Sequence, residues 1–375
     1  MTAQRRTSFV LALAVIGWIV LACNAAPAAE RFEVLPFGDA ILLPVRIGDE
    51  THSFLLDTGA TASVFDRSIV SGDAIDRHEL QTGGGTLAVE RFLAPQATIA
   101  GKSLTVQASV YALDLAQVRR ASGLPIRGIV GMDFLRSRIV RIDFDGGLVE
   151  FLDAVPHDAG REVSLIFHDG APLAPIDVPG LDKTAFLVDT GGVGAAMIDE
   201  STFEKLMHAG KLSSIAKARS LTAAGEVETP IARLESIRIA GFDIPNLQVQ
   251  SRPGNVRTLG LDVWSRFRVT LDFPAGRLYL QPGRFFDKHD RRNLAGMRFR
   301  RTDTGTPILG VDPRGAAEQA GLRVGDDLIQ VGNRPTAGAT QTVLDRRLSM
   351  PGDKIEVFYR REGREQKTSI ALPTP

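Results

Sequence analysis

The sequence predicts a mainly β protein: two tandem β-barrel lobes related by a pseudo-two-fold axis, followed by a small α+β domain. Three observations carry that prediction. A set of motifs occurs twice in the same order. Both copies consist of short apolar and β-branched runs punctuated by Gly, Pro and Asp, as small antiparallel barrels are. Beyond the charged stretch Arg284 to Arg292 the pattern changes to strand, short helix, turn and strand.

The repeat fixes the architecture. Phe54-Leu55-Leu56-Asp57-Thr58-Gly59-Ala60 is answered by Phe186-Leu187-Val188-Asp189-Thr190-Gly191-Gly192. Downstream, Ile129-Val130-Gly131-Met132-Asp133 is answered by Thr258-Leu259-Gly260-Leu261-Asp262. A strand-turn-strand pattern over Ile139 to Phe151 then matches Phe267 to Leu280. These matches place lobe one at residues 30–155 and lobe two at 160–283, joined by the polar stretch Pro156 to Arg161. Helix is expected at Ser201 to His208 and near Asp114 to Arg120. The third domain, residues 290–375, reads as a strand at Ile308 to Val311, a short helix, a strand ending at Val331, a helix over Thr340 to Leu348 and a closing hairpin.

With 375 residues the chain can bury a core in each of these units without staples. Its 44 Lys and Arg balance 44 Asp and Glu, which leaves no basic excess for nucleic acid. The single cysteine, Cys23, excludes an internal disulfide and a multi-thiolate metal site. His157, His168 and His208 show no metal-ligand spacing, and no metal or organic cofactor is expected.

Residues 1–29 read as a signal peptide: Arg5-Arg6, an uncharged run from Phe9 to Ala22, then a small-residue stretch with an A-x-A site at Ala26 and Ala28. An exported protein, periplasmic or secreted, is therefore expected. Val20-Leu21-Ala22-Cys23 approximates a lipoprotein box. Membrane attachment follows only from acylation of Cys23 or from an uncleaved leader.

One Asp-Thr-Gly says little in a chain of this length. Two, each at the end of an apolar strand, point to acid-base chemistry, because glycine lets the turn bring backbone amides onto the carboxylate. If the lobes face each other, Asp57 and Asp189 share one proton, so the site holds a base and an acid together. That pairing can activate a water and protonate a peptide carbonyl.

These residues resemble the retropepsin-like aspartic proteases, here as a duplicated single chain of exported bacterial type, from about Phe54 to Leu280. The resemblance implies Asp57 and Asp189 as the catalytic pair. It implies an interlobe grip by Thr58 and Thr190, with Gly59 and Gly191 supporting the pair. Gly131 and Gly260 would lie on the chain that passes behind each loop. It further implies flaps at Gly83, Gly84 and Gly85, with Gly225 as the counterpart. Gly192 follows the second tripeptide where the first has Ala60, and lobe two is one residue longer up to Asp199; a less braced second loop is expected.

The Gly310 to Gly332 stretch resembles a PDZ domain, implying capture of peptide termini or strands at a sheet edge, with a carboxylate loop at Thr304, Gly305 and Thr306. The resulting expectation is a monomeric aspartic endopeptidase acting on polypeptides. Two non-catalytic readings stand beside it. One is an exported peptide-binding or chaperone-like protein; the other is an adaptor whose lobes are only structural.

Overall fold

Frequent Gly, Pro and Asp cut the chain into short extended runs, and strands dominate the structure. The computed structural model describes residues 30–33, 40–82, 85–105, 108–182, 184–222, 225–287, 293–302, 304–339, 341–350 and 352–374. The expected leader with Cys23, and Gly83 and Gly84 of the first flap stretch, lie outside them.

In lobe one the central strand Ile126–Val130 runs parallel to Glu50–Leu56 on one side and antiparallel to Val64–Asp66 on the other. Lobe two repeats this: Thr258–Leu259 runs parallel to Thr184–Val188 and antiparallel to Ala196–Asp199. In each copy the strand before Asp-Thr-Gly is thereby held by a strand that arrives late in the lobe. The two aspartates follow directly from Glu50–Leu56 and Thr184–Val188.

The strand-turn-strand units do something the sequence pattern did not indicate. Ile139–Asp143 of lobe one pairs antiparallel with Phe267–Asp272 of lobe two, from Ile139 opposite Asp272 to Asp143 opposite Arg268. Leu148–Leu152 and Glu30–Glu33 extend this sheet on one side, and Arg277–Pro282 and Arg161–Ser164 on the other. The lobes thus share a six-stranded base. Their buried side chains form one continuous core, from Phe54 and Phe65 in lobe one to Phe186 and Trp264 in lobe two.

The barrels expected from the sequence do not close. Lobe one is an open nine-stranded sheet and lobe two an open eight-stranded one among the described residues. Closure needs the outermost strands to pair with each other. Here one outer strand of each sheet is a hairpin arm, Asp76–Thr82 or Leu212–Thr222, paired only with its own return strand.

The expected helices form at Ala116–Ser122 and Glu200–His208. Asp199 caps the second by accepting from the Thr202 amide at 2.8 Å, which satisfies one of the free amides of its first turn.

The third domain has its own core, including Met297, Phe299, Leu328, Leu344 and Ile355. It touches lobe one at the end of helix Ala116–Ser122. There Arg301 Nη1 donates to the Ala339 carbonyl at 3.0 Å, and a Cβ on Gly123 would fall 2.4 Å from that nitrogen.

Packing is tight where the central strand lies beside the strand that leads to Asp57. A Cβ on Gly128 would lie 2.1 Å from the ring of Phe54, which is fully buried edge-on against Phe65 at 5.1 Å. Gly128→Ala is therefore expected to lower stability by about 1–3 kcal/mol. A fall in the urea midpoint measures it, and an unchanged midpoint would show that Phe54 can move aside.

Candidate active site

The site is built from two strand ends. The Asp57 amide donates to the Val130 carbonyl and the Asp189 amide to the Leu259 carbonyl, both at 3.0 Å. Each aspartate is thus fixed to the strand that passes behind it. Gly131 and Gly260 lie directly beyond those carbonyls, where the passing chain presses on the loop. A Cβ on Gly131 would sit 2.6 Å from Ala62 C, and one on Gly260 would sit 2.3 Å from Gly194 O. No larger residue fits either place.

Beneath the carboxylates the lobes interlock. The Thr58 amide donates to Thr190 Oγ1 at 3.0 Å, and the Thr190 amide donates to Thr58 Oγ1 at 3.1 Å. Each hydroxyl then donates across the interface, Thr190 to Leu56 O at 3.0 Å and Thr58 to Val188 O. Both threonines are fully buried, so every one of these groups needs its partner. The expected grip is present and reciprocal.

The carboxylates are held by their own loops. Asp57 Oδ1 accepts from the Gly59 amide at 2.8 Å. Asp189 Oδ1 accepts from Gly191 at 3.0 Å and from Gly192 at 2.8 Å. Gly192 therefore braces the second loop, contrary to the expectation from sequence. A Cβ there would fall 2.8 Å from Asp189 Oδ2, so glycine is what allows the loop to close on its carboxylate.

Each loop also reaches the other carboxylate. A Cβ on Gly191 would lie 2.3 Å from Asp57 Cγ, and one on Gly59 would lie 3.1 Å from Asp189 Oδ1. Asp57 and Asp189 are thus brought together at the lobe junction. Burial, reinforced by the charge of Asp189, pushes the Asp57 carboxyl up to about 7, against the opposing pull of amides from Gly59, Ala60 and Gly191. Burial likewise raises Asp189, opposed by the Gly192 and Gly191 amides and by the positive charge of Arg252. Two acids raised in this way hold one proton between them across the mildly acidic to neutral range.

Sequence reasoning missed several supports. In lobe one Ser63 Oγ accepts the Gly131 amide at 3.0 Å and donates to Asp133 Oδ1 at 2.6 Å, tying the tripeptide loop to the chain behind it. Asp133 had been visible only as part of the repeat. Asp199 is buried among Ser201, Thr202 and Arg257; burial alone would raise it, but those partners outweigh burial and bring it down to about 2. Asp66, its counterpart in lobe one, accepts from Ser68, Leu115 and Arg119. The shared Asp in the apolar-Asp step was the available signal for both.

The remaining candidates are placed as follows. Thr82 pairs with Gly85, and Thr222 with Gly225, so each candidate flap stretch lies where a hairpin turns back. At the candidate carboxylate loop, the Thr306 amide donates to Asp327 Oδ1, and a Cβ on Gly305 would fall 2.3 Å from the same oxygen. The Thr306 amide is therefore engaged by the chain's own carboxylate and not open to an incoming one. The Thr302 amide donates to Gly305 O at 2.7 Å, and Thr304 is exposed beside them.

A family model described as aspartyl protease matches residues 43–134 and 174–263, one stretch in each lobe, and a model described as PDZ domain matches residues 294–372. Among solved structures, an aspartic proteinase from Irpex lacteus is similar at 14% identity and a TM-score of 0.47, over 70% of this chain and 100% of its own. No curated protein matches the chain.

Two measurements test the geometry. Gly191→Ala is expected to displace the Asp57 carboxylate and abolish any activity that depends on the pair, with little change in far-UV circular dichroism; retained activity would mean the loops are looser than drawn. The raised carboxyls also set a pH signature. Ionised, they repel each other and lack water, so they cost native stability as pH rises from the unfolded carboxylate range to about 7, and the cost stays above it. Asp57→Asn removes it. The Tm of the variant should exceed wild type above pH 7, with the gain vanishing below about pH 4.

Proposed function

Because this chain has the retropepsin-like aspartic protease architecture, two tandem aspartyl-protease domains followed by a PDZ domain, we propose that it is an exported aspartic endopeptidase acting on polypeptides. The observation that carries the reading is the convergence of both Asp-Thr-Gly loops on one pair of carboxylates, each loop within van der Waals reach of the other's aspartate. A duplicated scaffold kept only for shape has no chemical need for this arrangement.

In the working state one proton is shared. The ionised carboxylate takes a proton from a water as its oxygen attacks the peptide carbonyl carbon. The protonated carboxyl gives its proton to the carbonyl oxygen, and a tetrahedral diol forms. Collapse breaks the C–N bond as the amine nitrogen receives a proton from the pair, while a diol hydroxyl gives its proton back to the pair as the C=O of the new carboxyl forms, so the pair returns to its starting count. Backbone amides serve both carboxyls, but Asp189 also has a guanidinium near it, so it better carries the negative charge; Asp57 better holds the proton. Backbone amides fix both carboxylates before substrate arrives, so little reorganisation is needed during reaction.

The PDZ domain supports a second contact with polypeptide, by adding a strand to a sheet edge. Since the Thr306 amide is engaged by Asp327, recognition by that loop favours strands over free termini.

The test is cleavage of an unfolded protein from pH 3 to 8. Wild type should cut, with kcat/KM falling as pH rises through about 7, where the shared proton is lost. Asp57→Asn and Asp189→Asn should each reduce cleavage by at least about a hundredfold. An inert wild type, or full activity in either variant, would overturn the endopeptidase reading.

A further inference from the structure

The pseudo-two-fold makes every position in one lobe a control for its mate in the other, and one mismatch falls next to the catalytic pair. In lobe one, strand Val64–Asp66 lies parallel to Ser109–Leu113, with Val64 opposite Tyr111 and Asp66 opposite Leu113. In lobe two, Ala196–Asp199 lies parallel to Phe242–Arg252, with Met197 opposite Gln250 and Asp199 opposite Arg252. Asp66 and Asp199 are mates, since each caps the helical turn that follows it. Tyr111 therefore corresponds to Gln250, and Leu113 to Arg252.

These positions share one face of their strands. Tyr111 and Leu113 alternate with the buried Val110 and Ala112, and Gln250 and Arg252 alternate with the buried Val249 and Ser251. In both lobes this face continues across the sheet onto the strands of the candidate flap hairpin. Tyr111 meets the ring of His78 at 5.7 Å between centroids, and Gln250 Nε2 donates to Thr229 Oγ1 at 2.7 Å. Beside the hairpin strands, lobe one thus presents an aromatic and an apolar side chain where lobe two presents an amide and a guanidinium.

Arg252 is also unsatisfied. Its Nε is buried with no hydrogen-bond partner, and among the described residues it makes no ion pair. The carboxylate opposite it in the ladder does not serve it, because Asp199 is occupied by Ser201, Thr202 and the Nε of Arg257 at 2.9 Å. Asp189 is near enough for each charge to act on the other. A half-buried guanidinium whose Nε has no acceptor is costly in the free protein, and a planar carboxylate is the group that best fills its donors.

We propose that Arg252 is a specificity-determining residue of the cleft, selecting polypeptides with an acidic side chain on the lobe-two flank of the scissile bond, while Tyr111 and Leu113 favour an apolar or aromatic side chain on the other flank. The proposal rests on the endopeptidase reading. It adds a contact with substrate to the charge that Arg252 sets beside Asp189, and leaves the water and the proton to the aspartates.

The test is cleavage of a fully randomised peptide library by the full chain, followed by a matched peptide pair differing only by Glu against Gln at the selected position. Wild type should show enrichment of Asp and Glu on one flank, and a Glu:Gln ratio in kcat/KM of about tenfold or more, carried mainly in KM. Arg252→Leu, which installs the lobe-one residue type, should bring that ratio to near one on top of any loss of rate common to both peptides from removing the charge beside Asp189, and Arg252→Lys should restore part of the ratio.

Each other outcome is decisive. Cleavage by wild type without an acidic preference overturns this proposal and leaves the endopeptidase reading standing. So does an Arg252→Leu enzyme that loses rate equally on both peptides with a shifted pH profile, since Arg252 would then serve only as a counter-charge to Asp189. An inert wild type removes both. If Arg252→Leu fails to fold, the wild-type Glu:Gln ratio and the Arg252→Lys enzyme decide the matter without it.

Discussion

Four hydrogen bonds between Thr58 and Thr190 and the strands beneath them hold the molecule's chemistry in place. Each threonine amide donates to the other's hydroxyl, and each hydroxyl donates to a carbonyl of the opposite lobe. The groups are shut away from water, so leaving any one unpaired would cost about 1–3 kcal/mol. The arrangement is satisfied only when both strand ends arrive at the same place with the same orientation. Everything around it serves that condition: the central strands that pin Asp57 and Asp189, the glycines that let the chain pass behind them, and the six-stranded base that joins the lobes.

Symmetry brings the carboxylates together, but symmetric acids would share charge without assigning roles. The differences between the lobes supply the assignment. Gly192 and Gly191 donate to Asp189 as Gly59 does to Asp57, so backbone amides hold both carboxylates. Arg252 adds a positive charge beside Asp189. On the proposed reading, that charge biases negative charge toward Asp189 and the proton toward Asp57, and the same arginine is the one proposed to meet substrate.

The third domain is joined to this machinery at one visible place. Gly123, at the end of helix Ala116–Ser122, packs on the Arg301 guanidinium where it meets Ala339. That helix is tied through Arg119 to Asp66, and the chain beyond Gly123 leads into Ile126–Val130, whose last carbonyl holds the Asp57 amide. A physical path of packed groups therefore connects the PDZ domain to the loop that carries Asp57.

Duplication, the mainly β character and the aspartate pair were legible in the sequence, and the threonine grip and the two passing glycines in the family resemblance its motifs carry. They depend on local rules: apolar strands ending in Asp-Thr-Gly, and repeats whose spacing survives in one dimension. The open sheets, the shared six-stranded base, the bracing by Gly192, the Ser63–Asp133 support and the unsatisfied Arg252 emerged only in three dimensions. Each depends on which residues of distant segments become neighbours. Gly192 read as a weakness because a sequence shows the missing side chain and hides the carboxylate that needs its space. Arg252 looked like any strand-end arginine until the register set it opposite an aspartate already taken and placed its charge beside Asp189. Local propensity determined the parts and their chemistry; long-range register and packing decided which of them touch.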